Sequence, residues 1–330
     1  MTIILSKPIV GLMKTKILSI ALATSIALSG CAQSTPEVQP TQEPFTGITI
    51  VASTNVWGDI AKSIGGDRVQ VVSIIENFAQ DPHSYEASAR DQLAVNDADL
   101  IVANGGGYDS FIDTLAKSAG NENIVYAYLP DELAKEDQAA KEDDGHDHDH
   151  DHDHDHAEGN EHVWYDFHVV EDFASRLAGA LAALDSEYSS DYSDNLIDFQ
   201  GEIEILEDRI AAVSGKYSGA SFVASEPVAN YLLIEMGLED LTPKSFSQAI
   251  EEELDVSPKD LLEIQKLLKS KSVDVFVVNP QTGSVQIDAL IELAEQNGIS
   301  IVELSELLPA GSRYYEWMDL NIANLEAALR

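Results

Sequence analysis

Two sets of short apolar runs, each spaced by helical stretches, organise this chain. The first set is Ile48-Thr49-Ile50-Val51-Ala52, a run over 69–75, Leu100-Ile101-Val102 and Asn123-Ile124-Val125-Tyr126, with helical spacing over 56–64 and 87–95. After residue 215 the pattern restarts with Ser221-Phe222-Val223-Ala224, a run over 273–278 and Ile299-Ser300-Ile301-Val302, separated by helices at 229–236, 258–269 and 287–296. Strands spaced by helices of this length predict two parallel α/β sheets. Between the sets, Tyr192, Leu196, Phe199, Ile203, Leu206, Ile210 and Val213 recur at alternating steps of four and three, one apolar stripe on one helix. Such a helix runs about 35 Å, a domain diameter. Ser190 or Asp191 caps its start and Gly215 ends it. The expected fold is α/β: a first lobe over 47–188, a linking helix over 189–215 that braces the lobes against wide closure, and a second lobe over 216–330.

The N-terminal stretch has a different pattern. An apolar run over 17–28 is followed by Leu28-Ser29-Gly30-Cys31, small residues before the chain's one cysteine, which resembles a lipobox. Met13-Lys14-Thr15-Lys16 supplies the basic start of a signal peptide, so translation is expected to begin at Met13 and residues 1–30 to be removed. The apolar run falls short of the ~20 residues of a membrane span. With Cys31 lipidated, disulfides are excluded, and residues 31–46, rich in Pro, Thr, Gln and Glu, form a flexible tether.

Charge narrows the partners. The formal net charge is −39, and residues 131–161 hold fourteen acids against two lysines. An acidic surface excludes nucleic acid, no basic amphipathic helix offers a membrane face, and cations are drawn in. Within that acidic stretch His146, His148, His150, His152, His154 and His156 alternate with aspartates, six of the nine histidines in the chain. With no apolar residue between 145 and 156 to bury, the segment at about 135–160 is expected to remain a solvated loop. Neutral imidazole suits zinc, copper and nickel, and the carboxylates between concentrate cations. Such a loop collects metal without fixing its geometry.

Three short stretches elsewhere carry candidate ligands. Asp81-Pro82-His83-Ser84-Tyr85-Glu86 follows a strand end, where open α/β sheets bind ligands. His162 lies in Glu161-His162-Val163-Trp164-Tyr165-Asp166, and Glu226 in Ser225-Glu226-Pro227 directly after a strand. Gly105-Gly106-Gly107 lacks the lysine of a phosphate-binding loop and is taken as a place where backbone approaches backbone.

In this order, lipobox, the His83 motif, Asn104-Gly105-Gly106-Gly107-Tyr108-Asp109, the histidine-rich loop, the His162 motif, the long helix and Ser225-Glu226, the chain resembles the solute-binding lipoproteins of zinc and manganese ABC importers. The resemblance implies a metal in the cleft between two lobes, held by His83, His162 and Glu226. For a fourth group it points to the loop after 273–278, where relatives place an aspartate. Here that loop reads Asn279-Pro280-Gln281-Thr282-Gly283-Ser284-Val285-Gln286. Either Asn279 or Gln281 offers a neutral carbonyl, or Asp288 reaches back from its helix, or water completes the shell. The His-Asp loop favours zinc over manganese. The resemblance further implies a lipid-anchored extracytoplasmic monomer that delivers its ion to an ABC permease and ATPase. A surface adhesin or metal buffer would share the site. A metal-dependent hydrolase is disfavoured, since the sequence has no His-Glu-x-x-His helix and no second glutamate plausibly placed as general base near His83 or His162.

Overall fold

The computed structural model describes residues 45–129, 159–252 and 254–330. In the first lobe β1 (Ile48–Thr54), α1 (Asn55–Gly65), β2 (Val69–Ile75), α2 (Ala89–Asp97), β3 (Leu100–Ala103), α3 (Ser110–Ala119) and β4 (Ile124–Tyr126) alternate, followed by α4 (Phe167–Leu184). The long helix α5 (Ser189–Tyr217) comes next. The second lobe contains β5 (Ser221–Ala224), α6 (Asn230–Glu235), β6 (Glu239–Asp240), α7 (Lys244–Glu251), α8 (Pro258–Ser270), β7 (Val275–Val278), α9 (Val285–Asn297), β8 (Ser300–Glu303) and α10 (Tyr314–Ala328).

Each lobe is built on a four-stranded sheet, in the orders β2-β1-β3-β4 and β6-β5-β7-β8, with every pair parallel. Helices cover both faces, which is why the inner strands are continuous apolar runs: every residue of β3 and of β7 is buried. In both sheets the chain leaves the first strand on one side and returns on the other, which opens a crevice at the strand C-termini. His83, His162, Glu226, Asn279 and Gln281 lie in loops or turns at that end, whereas Asp288 lies in α9.

Helix α5 buries Tyr192, Phe199, Ile203, Leu206, Ile210 and Val213, the stripe expected from spacing, and packs against α1, α4 and α10. The core around it is continuous: Ile50 of β1, Trp57 of α1, Phe173 of α4, Phe222 of β5 and Trp317 of α10 belong to one buried cluster. Two smaller cores close the outer faces of the lobes.

The helix ends differ from expectation. Helix α5 begins at Ser189, so Ser190 and Asp191 stand within its first turn, and it runs through Gly215 to Tyr217 before Gly219 turns left-handed at φ 84°. A glycine inside a helix costs only about 1 kcal/mol, less than the packing of this helix supplies. Helices α3, α4, α7 and α10 were not anticipated. Helix α4 is the largest of these, with Phe167, Val170, Phe173, Ala174, Leu177 and Leu181 buried and Asp166 capping His168 N and Val169 N. Among the described residues no helix is long and apolar enough to cross a membrane. Cys31 and the histidines from His146 to His156 lie outside the described residues.

Candidate metal centre

His83 sits in the loop after β2, in a turn fixed by Asp81, whose carboxylate accepts from His83 N at 2.9 Å and from Ser84 Oγ at 2.8 Å. Its ring stands edge-on to Tyr108, 4.9 Å between centroids. Tyr108 is presented by the glycine loop after β3. Gly105, Gly106 and Gly107 all have positive φ, and a Cβ on Gly106 would lie 2.5 Å from Tyr128 Cδ1, so the loop does let chain approach chain. Asp109 holds it, accepting from Asn104 N at 2.6 Å and Gly105 N at 2.8 Å.

His162 lies just before α4 and is 1% exposed. Asn160 Oδ1 accepts from His162 N at 3.1 Å and lies 2.7 Å from His162 Nδ1. That partner engages Nδ1 and leaves the Nε2 lone pair free for a metal, the usual way an imidazole ligand is oriented. Burial first, then the neighbouring His83, pushes the His162 pKa well below its ordinary value, so the ring is kept neutral. The two imidazole centroids are 5.9 Å apart.

From the second lobe the loop after β8 contributes Glu306, 3% exposed. Its Oε2 accepts from Tyr108 OH at 3.0 Å and its Oε1 from Asn279 Nδ2 at 2.7 Å. Two backbone bonds to Gln281 Oε1, from Glu306 N at 2.7 Å and Leu307 N at 3.1 Å, fix the loop. Tyr165 OH donates across the cleft to Ser305 O at 2.8 Å. Among the described residues, His83, His162 and Glu306 offer ligand atoms all within 4.8 Å of one another. His83, Glu161 and Glu251 form a second such group.

Glu226 follows β5 and is 4% exposed. Asn279 Nδ2 donates to its Oε2 at 2.6 Å, and Thr282 Oγ1 donates to its Oε1. Asn279 therefore bridges Glu226 and Glu306, which keeps the two carboxylates on either side of one amide nitrogen. Asn279 turns its amide nitrogen toward the carboxylates, while its Oδ1 accepts from Gln281 N at 3.0 Å, so it offers no carbonyl inward. Gln281 spends its oxygen on the Glu306 loop. Asp288 is exposed on the first turn of α9 and does not reach back. The loop after β8 supplies a carboxylate instead, Glu306, which the sequence shows only as a lone acid in the run Leu304-Ser305-Glu306-Leu307-Leu308. Acids also stand beside both histidines: Glu161 Oε1 is 3.8 Å from His83 Nδ1 and Glu251 Oε1 is 3.7 Å from His162 Nδ1. Glu251 arrives from α7 of the opposite lobe, so sequence proximity could not reveal it.

The electrostatics favour a cation. Glu306 is pushed up to about 8 by burial and then by Glu226, and Glu251 to about 8 by burial and then by Glu161, Glu226 and Glu306. Burial likewise raises Glu226. Apart from the neutral His162 ring beside Glu251, the groups facing these acids are carboxylates, hydroxyls and an amide. A divalent ion would remove the repulsion, and the donor set of neutral nitrogen and carboxylate oxygen is one that binds transition metals.

Over 337 residues the chain is 23% identical to a protein named manganese ABC transporter substrate-binding lipoprotein PsaA of Streptococcus pneumoniae, covering 94% of this chain and 97% of that one. It is 29% identical over 106 residues to manganese-binding lipoprotein MntA of Halalkalibacterium halodurans, 32% of this chain and 34% of that protein. The fold is that of the periplasmic zinc-binding protein TroA of Treponema pallidum, with a TM-score of 0.67 at 18% identity over 86% of this chain and 99% of the other. A zinc(II)-bound variant of AdcAII of Streptococcus pneumoniae superposes with a TM-score of 0.66 at 22% identity, over 87% of this chain and 100% of that one. Residues 50–328, which include His83, His162, Glu226 and Glu306, match the ZnuA family, described as zinc-uptake complex component A, periplasmic, and the chain belongs to that family.

Proposed function

We propose that this chain captures a divalent transition metal ion outside the cytoplasm, zinc in preference to manganese, and delivers it to an ABC permease and its ATPase. The observation that carries the reading is the convergence of the exposed His83 and the buried His162 and Glu306 from both lobes, with ligand atoms within 4.8 Å of one another. His83, His162 and Glu306 bind the ion in this reading, with Glu226 beside them, tied to Glu306 through Asn279. Two imidazoles and a carboxylate suit zinc, and the alternating histidines from His146 to His156 suit it too. The lipid on Cys31 would keep a monomeric carrier close to its permease. Family membership answers the hydrolase alternative, because a component of an uptake complex holds its cargo and leaves it chemically unchanged.

Manganese remains a competing cargo for one reason. Glu226 and Glu306 share Asn279 and could both turn toward the ion, giving the oxygen-rich shell that manganese prefers. The deciding experiment is competitive titration of zinc and manganese into protein beginning at residue 32, with and without residues 140–158. One tight zinc ion that survives removal of the segment, with weaker ions lost, supports zinc delivery from the cleft. Manganese retained against a zinc chelator moves the reading to manganese. Loss of all tight binding with the segment would place the site there and refute the cleft.

A further inference from the structure

We propose that Glu161, Glu251 and His83 form an outer station for the same ion, occupied on the way to His162 and Glu306. The inference rests on reading the cleft as a metal-capture site and adds a route into it. The three side chains offer ligand atoms within 4.8 Å of one another, and His83 belongs to both groups. The two groups form a gradient of burial. The side chains of His83, Glu161 and Glu251 are 25%, 20% and 18% exposed, whereas that of His162 is 1% exposed. The outer carboxylates are available: Glu251 Oε1 is enclosed yet has no hydrogen-bond partner. It approaches His162 only at Nδ1, at 3.7 Å, the nitrogen that Asn160 already engages, so it does not compete for the inner ligand atom. Glu161 precedes α4 in the first lobe and Glu251 ends α7 in the second, so the outer group also spans the cleft.

Its chemistry fits a transient stop. One imidazole and two partly solvated carboxylates hold a divalent ion with water completing the shell, and such oxygen-rich shells exchange quickly. Passage inward then swaps Glu161 and Glu251 for His162 and Glu306 while His83 stays bound. The ion is never stripped of all its ligands at once, which would be the costly way to bury a dication.

The test uses Co2+ and the chain from residue 32. Trp164, whose ring centroid is 5.2 Å from that of His162, reports arrival at the inner group through its fluorescence. In H162A lacking residues 140–158, which breaks the inner group and removes the histidine run, one weaker Co2+ should remain, and adding E161Q and E251Q should lower that residual affinity at least about tenfold, the low end for groups that support a metal site. In the otherwise intact protein, E161Q/E251Q should slow both loading and release, as removal of a stop on the path must. Two results overturn the proposal: residual binding in H162A that ignores both glutamates, or loading alone slowed with the difference vanishing at high salt, which is simple loss of charge attraction. If the unmodified protein binds no Co2+, the cleft reading itself fails, a distinct outcome.

Discussion

Glu306 is the buried carboxylate on which the two lobes meet. It is buried against Glu226 and hydrogen-bonded by Tyr108 and Asn279, and its pKa is pushed up to about 8. Replacing it by glutamine keeps the shape and removes the buried charge. E306Q should therefore lower zinc affinity at least about a hundredfold while leaving the metal-free protein as stable as before or more so, measured by chelator competition and by thermal melting at pH 8. Asn279 is a positioning residue for two acids at once. N279A leaves both carboxylates without their shared donor, and should cost about 1–3 kcal/mol of metal-free stability, measured by urea unfolding. The first-lobe residues His83 and His162 were legible in sequence because each sits in a short motif beside a strand end or an aromatic pair. Glu306 was not. A single acid between leucines has no spacing to mark it, and its role depends on β8 lying next to β7 and on Tyr108 reaching across from the other lobe.

At the scale of elements, α5 couples the two halves of the site. Its buried face is continuous with α1, α4 and α10, so the lobes share one core and the distance from His162 to Glu306 is set by packing. I205P is a probe of that role, because Ile205 is 51% exposed and contributes little to the core. Proline there removes a helical hydrogen bond and clashes with the preceding turn, costing about 3 kcal/mol or more, and should weaken zinc binding along with stability. I205A should change neither appreciably, since alanine suits an exposed helical position; calorimetric titration of both variants checks the pair. The stripe that buries α5 was readable because period and length agreed over more than 20 residues, roughly six turns. The sheets were readable for a related reason, since fully buried strands are unbroken apolar runs. Helices α7 and α10 were harder. Helix α7 buries only Phe246 and Ile250 over eight residues, and α10 mixes tyrosine, tryptophan and asparagine into its buried face, including Asn321, so neither shows a clean apolar period.

For the whole molecule, the acids gathered in the cleft make stability depend on pH and on metal together. Glu251 and Glu306 have folded values of about 8 against ordinary values of 4.5. Between those values the folded protein keeps protons that the unfolded chain has released, so their contribution is fully present below 4.5 and is lost as pH rises through about 8. His162 acts in the opposite sense below its ordinary value of 6.5, because the unfolded ring takes up a proton that the buried ring refuses. The window from 6.5 to about 8 is therefore where the carboxylates act without that opposition. In that window the melting temperature of chelator-treated protein should fall as pH rises. Zinc replaces the protons as the countercharge and stabilises the folded state by binding it alone, so the melting temperature of zinc-loaded protein should hold, and the gap between the two forms should widen toward pH 8. E306Q should flatten the metal-free slope, because it removes one of the two titrating carboxyls. A metal-free melting temperature that is constant or rises across the same interval would show that the cleft carboxylates are already compensated without a metal, and would remove the electrostatic reason for placing the ion between the lobes.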